Sequence, residues 1–481
     1  MIRPQLQHVA IIGGGFSGTL TAVNLARLST APLRISVLNC AYPAGRGIAY
    51  STRRPEHLLN VAARNMSALP EYPSHFVDWL LTRTEYANIP ETELRETFMP
   101  RRVYGDYLRS LAWHYSDPLN SRSSVEIKTI PSEVVDLISE AQGARLILAD
   151  GTTLLADRVV LATGNEPPAD LTGTGALSEH PAWCANPWID WESKLPPPGG
   201  TIVLLGTGLT TVDAILTLLT LDWRGHIHAV SRHGLLPQSH FKGVDVPDFP
   251  PPEVDLASLG LTELIALMEQ HCARLRGLGT NPAIIVDKLR PHTQRIWQAF
   301  SDQERQEFIT RYAARWNVIR HRIAPSIHQN ITAAVANGRV ALTAASITGL
   351  RTAGPKIAVD LESSDGTPSS LTADLVINGT GPQTRFSATR SPLLRALLKR
   401  GLAQTDASDM GLKIAADFTV IQKDEQPSPH LLALGPLLRG TLWETIAVPE
   451  LRGQALRVAQ TLLAAAPNSA AVEAAVIEYC I

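Results

Sequence analysis

Two glycine-rich turns, each set between an apolar run and a helix-like stretch, constrain this chain more than any other feature. The first, Gly13-Gly14-Gly15-Phe16-Ser17-Gly18, follows His8-Val9-Ala10-Ile11-Ile12; the second, Gly206-Thr207-Gly208-Leu209-Thr210-Thr211, follows Thr201-Ile202-Val203-Leu204-Leu205. Strand, tight turn and helix in that order form the unit that holds a dinucleotide at the edge of a parallel sheet. The first glycine (Gly13, Gly206) permits the turn, and the second (Gly15, Gly208) lets the backbone approach a pyrophosphate. The helix starts behind them, at Ser17-Gly18 and at Leu209-Thr210, offer free N–H groups and the positive end of the helix dipole. Thr211 stands where the first turn has its third glycine, so a second fold kept only as a scaffold is a competing expectation.

Size and composition narrow the class. A chain of 481 residues is long enough for about three domains. With 18% charged residues and a formal net charge of -2, it gives no basis for nucleic-acid binding. Cys40, Cys184, Cys272 and Cys480 lie far apart, without the Cys-x-x-Cys pair of a disulfide reductase or a zinc site, and no metal centre is expected. No leader-like segment and no apolar run long enough to span a bilayer is evident, so a cytoplasmic protein without membrane contact is expected. The oligomeric state is not legible.

Along the chain, Leu33 to Leu38 reads as the second strand of the first unit; Asn39 then occupies the place where an acid normally meets the adenosine ribose. Arg158-Val159-Val160-Leu161 runs into Ala162-Thr163-Gly164, and Asp374-Leu375-Val376-Ile377 runs into Asn378-Gly379-Thr380-Gly381. Such Thr-Gly turns lie where a chain passes between two nucleotide units, or are simply strand-ending turns. Pro196-Pro197-Pro198-Gly199-Gly200 reads as a linker. The helical patterns of Leu261 to Leu275 and of the segment opened by the capping box Ser301-Asp302-Gln303-Glu304 mark an insertion over about 250–325. Leu431 to Pro436 gives a strand and turn, and Glu450 to Ala465 a closing helix. The expected architecture is α/β with two Rossmann-like units, the second inserted into the first: residues 1–195 and 371–481 for one, 196–370 with the helical insertion for the other.

Ser231-Arg232 ends the second strand of the middle unit, His226 to Val230. A guanidinium beside a small hydroxyl suits the 2'-phosphate of NADPH, where an acid would favour NADH. FAD is then expected in the first unit, since a flavin is the usual resident when a second nucleotide unit is inserted.

The blocks Gly45-Arg46-Gly47-Ile48-Ala49-Tyr50, His57-Leu58-Leu59-Asn60-Val61, Asn65-Met66-Ser67-Ala68 and Pro100-Arg101-Arg102-Val103-Tyr104-Gly105-Asp106-Tyr107 resemble a bacterial family of FAD/NAD(P)-binding proteins. So do Asn186-Pro187-Trp188, Arg320-His321-Arg322, Gly440-Thr441-Leu442-Trp443-Glu444 and Val448-Pro449-Glu450-Leu451-Arg452. Members of that family include FAD-dependent urate hydroxylases and a flavin-dependent L-aspartate N-oxygenase. The resemblance implies a monooxygenase using FAD, NADPH and molecular oxygen through a flavin C4a-hydroperoxide, on a small polar, nitrogen-containing substrate. A flavin reductase or oxidase that oxygenates nothing, and a non-catalytic or RNA-associated flavoprotein, are the alternatives. For the flavin side the expected residues are Gly13, Gly15, Ser17, Gly18, Asn39, Asn60, Gly435 and Pro436; for NADPH, Gly206, Gly208, Leu209, Thr210, Ser231 and Arg232; Thr163, Gly164 and Gly381, at the Thr-Gly turns, are expected to bind cofactor without assignment to either. Asn60, His57 and Arg101 are the candidates nearest the chemistry. Arg101, Arg102, Arg320 and Arg322 are candidate clamps for an anionic group, and Trp443 with Glu444 candidate pocket lining.

Overall fold

The computed structural model describes residues 7–120, 124–241, 246 and 248–464. The continuously apolar runs form parallel strands buried on both faces, as such runs must when helices cover the sheet from either side. The first sheet has six strands in the order Thr419–Ile421, Pro427–Ala433, Arg158–Leu161, Gln7–Ile12, Leu33–Leu38, Val125–Ile130. All pairs are parallel except the outer hairpin of Thr419–Ile421 with Pro427–Ala433. The helix Phe16–Leu28 is buried from Phe16 to Ala26, between this sheet and the helices Arg101–Ser116 and Val448–Ala464. A helix apolar all round belongs inside, and here it carries the first glycine turn into the middle of the unit.

The second sheet repeats the plan with five parallel strands, Val340–Ala344, His226–Ser231, Thr201–Leu205, Leu375–Asn378 and Trp183–Cys184. In each unit a three-stranded antiparallel meander feeds the strand that lies beside the glycine turn. Val134–Glu140, Gly143–Leu148 and Thr153–Ala156 precede Arg158–Leu161; Ser346–Ala353, Lys356–Glu362 and Pro368–Ala373 precede Leu375–Asn378. In both, the strand order reverses between the first strand and this last one, which opens a ligand crevice at the carboxyl ends.

The expected unit boundaries at 195/196 and 370/371 each leave one strand of the second sheet outside it. Trp183–Cys184 pairs with Val376 and Ile377, and Leu375–Asn378 pairs with Thr201–Leu205. The proline-rich stretch is not a linker between units but a packed connection within the second: Pro196 O accepts the Trp223 indole N–H at 2.8 Å, and Gly200 O accepts His226 N–H at 2.9 Å. Composition alone reads as a spacer because it does not register the tryptophan that the prolines cover. The real crossings run side by side. The Glu166 carboxylate accepts from the Thr389 hydroxyl and, at 2.9 Å, from Arg390 N–H, and Arg390 bonds Asp170 at 3.0 Å.

Between His226–Ser231 and the helix Pro325–Ala336 lies the helical insertion, including Leu261–Gly277, Ile284–Leu289, Thr293–Ala299, Asp302–Glu307 and Ala313–Arg320. Its core of Leu264, Ile285, Leu289, Trp297 and Phe300 takes in Trp443 from the returning chain of the first unit. The capping box forms: Ser301 Oγ accepts from Glu304 N–H, and the Glu304 carboxylate accepts from Ser301 N–H. The other Glu304 oxygen accepts Leu261 N–H at 2.8 Å, so one carboxylate caps two helices, and these backbone donors hold its pKa below the ordinary value. No helix among the described residues is long and apolar enough to cross a membrane. Loss of a cap costs about 1 kcal/mol. Urea unfolding is expected to show Glu304→Ala destabilising by about twice as much as Ser301→Ala.

Candidate cofactor and active site

At the first turn two glycines are required by space. Gly13 has φ 111° and a Cβ there would lie 2.2 Å from Ala162 O; a Cβ on Gly18 would lie 1.9 Å from Gly13 O. Gly15 caps the helix Phe16–Leu28 without any side-chain bond to the helix start, which leaves its N–H groups for an anion. The loop Gly45-Arg46-Gly47, legible in the sequence only as a block of resemblance, folds over this turn: Gly45 N–H donates to Gly14 O at 2.9 Å, and Gly47 Cα lies 3.5 Å from where a Gly15 Cβ would be. Asn39 accepts Gly14 N–H at 3.3 Å and donates to Tyr42 O at 2.6 Å, so it braces the turn that a ribose would adjoin. Gly435 packs on Ser17, and Pro436 follows it into the short helical turn Gly435–Leu438. Gln454 and Thr445 hold that turn through Gly435 N–H (2.9 Å) and Gly435 O (2.8 Å).

The second turn is built the same way. Gly206 has φ 96° with Gly379 O 2.5 Å from a hypothetical Cβ, and Gly208 caps Leu209–Thr220, again with no side-chain cap. Thr211 fits because its hydroxyl donates to Gly206 O at 2.8 Å and because the neighbour it meets is itself a glycine: a Cβ on Gly379 would lie 2.7 Å from Thr211 Oγ1. Thr163-Gly164 and Thr380-Gly381 occupy equivalent places after the last strand of each unit. A Cβ on Gly164, Gly208 or Gly381 would meet nothing within 4 Å, an opening of the kind a nucleotide fills. Ser231 bonds Thr207 Oγ1 at 2.8 Å and braces the turn, whereas Arg232 is exposed and has no partner among the described residues. Uncapped helix starts, open glycines and a free guanidinium fit a dinucleotide in each unit. Gly18→Ala is therefore expected to lower FAD retention on gel filtration. Gly379→Ala is expected to weaken NADPH binding by at least tenfold while FAD stays bound.

His57 and Arg101, expected near the chemistry, instead join the two units. Arg101 donates to both oxygens of Asp213, at 2.5 and 3.2 Å, and to Leu58 O at 2.9 Å. The His57 ring contacts Thr52 Oγ1 at 2.8 Å, Thr217 Oγ1 at 2.9 Å and Asp213 O at 3.2 Å. All its polar atoms are thus engaged, and burial lowers its pKa, so it is a neutral fastener. Asn60 enters the same seam through its carbonyl, which accepts from His240 Nε2 at 2.6 Å. Arg102 is exposed on the helix Arg101–Ser116, away from this seam. Tyr104 and Tyr107 are fully buried core residues. Arg322 is tied to Asp287 at 2.8 Å and Ala283 O at 3.0 Å, inside the insertion.

A charged corner that the sequence only partly signals lies where the insertion meets the chain leaving Gly435–Leu438. Arg290 forks onto Glu450 at 2.9 and 3.2 Å, and Arg320 donates to Glu444 at 3.1 Å and approaches Glu450 at 3.5 Å. Trp443, stacked on Trp297 at 4.9 Å, has φ 59° and ψ -71°, the strained sense of a γ-turn closed by Glu444 N–H to Leu442 O at 2.8 Å. This turn aims the Glu444 carboxylate at Arg320 and at the Trp316 indole, 3.3 Å away. Arg439 is left over: its guanidinium lies 5.4 Å from the Trp443 ring centre, pairs with no carboxylate among the described residues, and keeps accessible surface. Arg452 donates to Ser67 O at 2.8 Å. Four guanidiniums thus gather around Glu444 and Glu450, with Asp287 acting on Arg290 and the Asp406 carboxylate packed against Gly440. His321 sits among them with accessible surface of its own, and burial together with Arg320 and Arg439 pushes its pKa down to about 3. A histidine depressed in the folded state opposes unfolding above pH 6.5 and loses that contribution as pH falls towards about 3. The expected slope is up to about 1.4 kcal/mol per pH unit. His321→Gln should flatten it in thermal melts across that window.

Residues 10–166 match the FAD-NAD(P)-binding protein family. No curated protein matches the sequence. Among solved structures the chain is similar to an ornithine hydroxylase from Pseudomonas aeruginosa, with TM-score 0.64 and 16% identity over 95% of this chain and 99% of that one. L-lysine 6-monooxygenase from Pseudomonas syringae gives 0.63 and 17% over 95% and 98%. The ornithine N-hydroxylase of Kutzneria sp. 744 gives 0.62 and 15% over 95% and 99%. At these identities the likeness establishes a shared fold across nearly the whole chain.

Proposed function

We propose that this chain is an FAD- and NADPH-dependent monooxygenase that transfers one oxygen atom to the amine nitrogen of a small, carboxylate-bearing substrate. Bound FAD would take two electrons from NADPH and activate oxygen, one atom going to the substrate and the other leaving as water. The first unit's uncapped helix start and glycines would carry the FAD diphosphate, and Gly206, Gly208 and the free Arg232 the NADPH phosphates. The observation that carries the substrate reading is Arg439, a guanidinium that forms no ion pair among the described residues, in a corner rich in arginine. Such a corner binds carboxylate, by forked bonds, more readily than any cation. Its field also disfavours an ammonium relative to the free amine, and only the free amine has the lone pair that accepts oxygen. His321, neutral here, can accept a hydrogen bond from that nitrogen without adding charge.

The solved structures of similar fold act, by their names, on ornithine and lysine, and the resemblance in sequence points to aspartate or to urate. Arg439, which forms no ion pair among the described residues, supports an acidic amino acid over the two basic ones. A purine-like ring is less well supported, because the aromatic rings of this corner, Trp297, Trp443, Phe308 and Trp316, pack on one another.

The test is to reduce the FAD-loaded protein anaerobically with NADPH, mix with oxygen in the presence of aspartate, glutamate, ornithine, lysine or urate, and measure oxygenated product against NADPH consumed. Product formed close to one per NADPH with an acidic amino acid is expected. Hydrogen peroxide released in equal amount with every compound would make the protein an oxidase or reductase instead. Arg439→Met should raise KM for the carboxylate substrate at least tenfold, since a hydrogen bond to a charged group is worth about 1.5–3 kcal/mol.

A further inference from the structure

The seam between the units contains an arrangement that stability alone does not account for. Asp213 lies one turn inside the helix Leu209–Thr220, whose first residues form the second glycine turn. Its carboxylate is turned away from that turn, across the seam, into the fork of Arg101; the two side chains are 7% and 11% exposed. Replacing a buried ion pair with apolar groups is often neutral or stabilising, whereas a two-bond fork fixes both distance and orientation. One helical turn further on, His57 holds the same helix at Asp213 O and Thr217 Oγ1. A carbonyl only accepts, so Nε2 carries the hydrogen and Nδ1 accepts from the Thr52 hydroxyl. Both fasteners stand on one small ladder of the first unit, in which Leu59 N–H donates to Met99 O and Arg101 N–H to His57 O, each at 2.8 Å. Leu58 and Phe98 of that ladder pack into the core of the second unit. The helix is thereby held at two heights, against both sliding and rotation.

We propose that Asp213 is a positioning residue for reduction of the flavin by NADPH: gripped by Arg101, it sets the second glycine turn in register with the first unit, so that the nicotinamide meets the flavin without a rotation of one unit on the other. The proposal rests on the reading that both turns hold nucleotides. In the step concerned, the two electrons and one hydrogen lost by the nicotinamide are gained by the flavin. Displacement of the reacting atoms by about 1 Å is enough to cost about a hundredfold in rate.

The test uses the full FAD-loaded chain and compares wild type with Asp213→Asn, which keeps shape and removes charge, and with Thr217→Val, which removes one neutral bond. Four quantities are read: FAD content, Kd for NADP+ by calorimetry, the anaerobic rate of flavin reduction by NADPH, and the long-wavelength charge-transfer absorbance of NADP+ beside reduced flavin. For Asp213→Asn the expected result is unchanged FAD content, Kd for NADP+ within about threefold, reduction slowed at least thirtyfold and the charge-transfer band weakened. Thr217→Val is expected to show the same pattern at about three- to tenfold, and it serves alone if Asp213→Asn does not retain FAD. Reduction and charge transfer within twofold of wild type, or a rate loss matched by an equal loss of NADP+ affinity, would overturn the positioning role. Wild type that NADPH cannot reduce would overturn the two-nucleotide reading and the positioning role with it; a defect confined to the variants bears on Asp213 alone.

Discussion

A guanidinium and a carboxylate, Arg101 and Asp213, are removed from water at the boundary of the two units and fork onto each other across it. Each unit has its own sheet, its own core and its own crevice, and nothing inside either unit dictates how the two crevices face each other. Contacts between them include the Arg101 and Asp213 fork, the His57 bonds beside it, the His240 bond to Asn60, the two crossings laced at Glu166, and the ion pairs and stacked tryptophans where the insertion meets the first unit. Apolar packing can hold surfaces together in many relative positions, while a forked ion pair tolerates few. The seam therefore joins polar fasteners to apolar packing by Leu58 and Phe98.

The charged corner follows a different logic. A tryptophan of the first unit is stacked inside the helical insertion, and the turn it is forced to adopt points a carboxylate back at the insertion's own arginine. Anchoring and electrostatics are thus supplied by neighbouring residues of one short segment, Arg439 to Glu450. Glu444 and Glu450 are committed to Arg320 and Arg290, which leaves Arg439 without an ion pair among the described residues.

Much of the fold is legible in the sequence because the features that carry it are local. Glycines at fixed offsets from an apolar run, a capping box, and strands ending in Thr-Gly each need only a few neighbouring residues to be recognised, and each stands where expected. What misleads is whatever depends on partners far along the chain. Pro196 to Gly200 reads as a linker until Trp223 is seen against it, and Arg101 reads as a clamp for substrate until Asp213, 112 residues away, is seen within its fork. Arg439 carries no signal at all in sequence; what sets it apart is that it forms no ion pair among the described residues. Arg320 and Arg322 look alike in the chain and differ wholly in surroundings.

The exchange at the second turn has a consequence for how such proteins diverge. Where Gly18 serves the first turn by lacking a side chain, Thr211 serves the second because Gly379, just past the end of a strand more than 160 residues later, lacks one. The two turns reach a close fit by different contacts, Gly18 against Gly13 O, and Thr211 through its hydroxyl to Gly206 O beside the bare face of Gly379. A pattern search anchored on a single turn will discard such copies as degenerate. Scoring the turn jointly with the residue that ends the neighbouring strand would recover them.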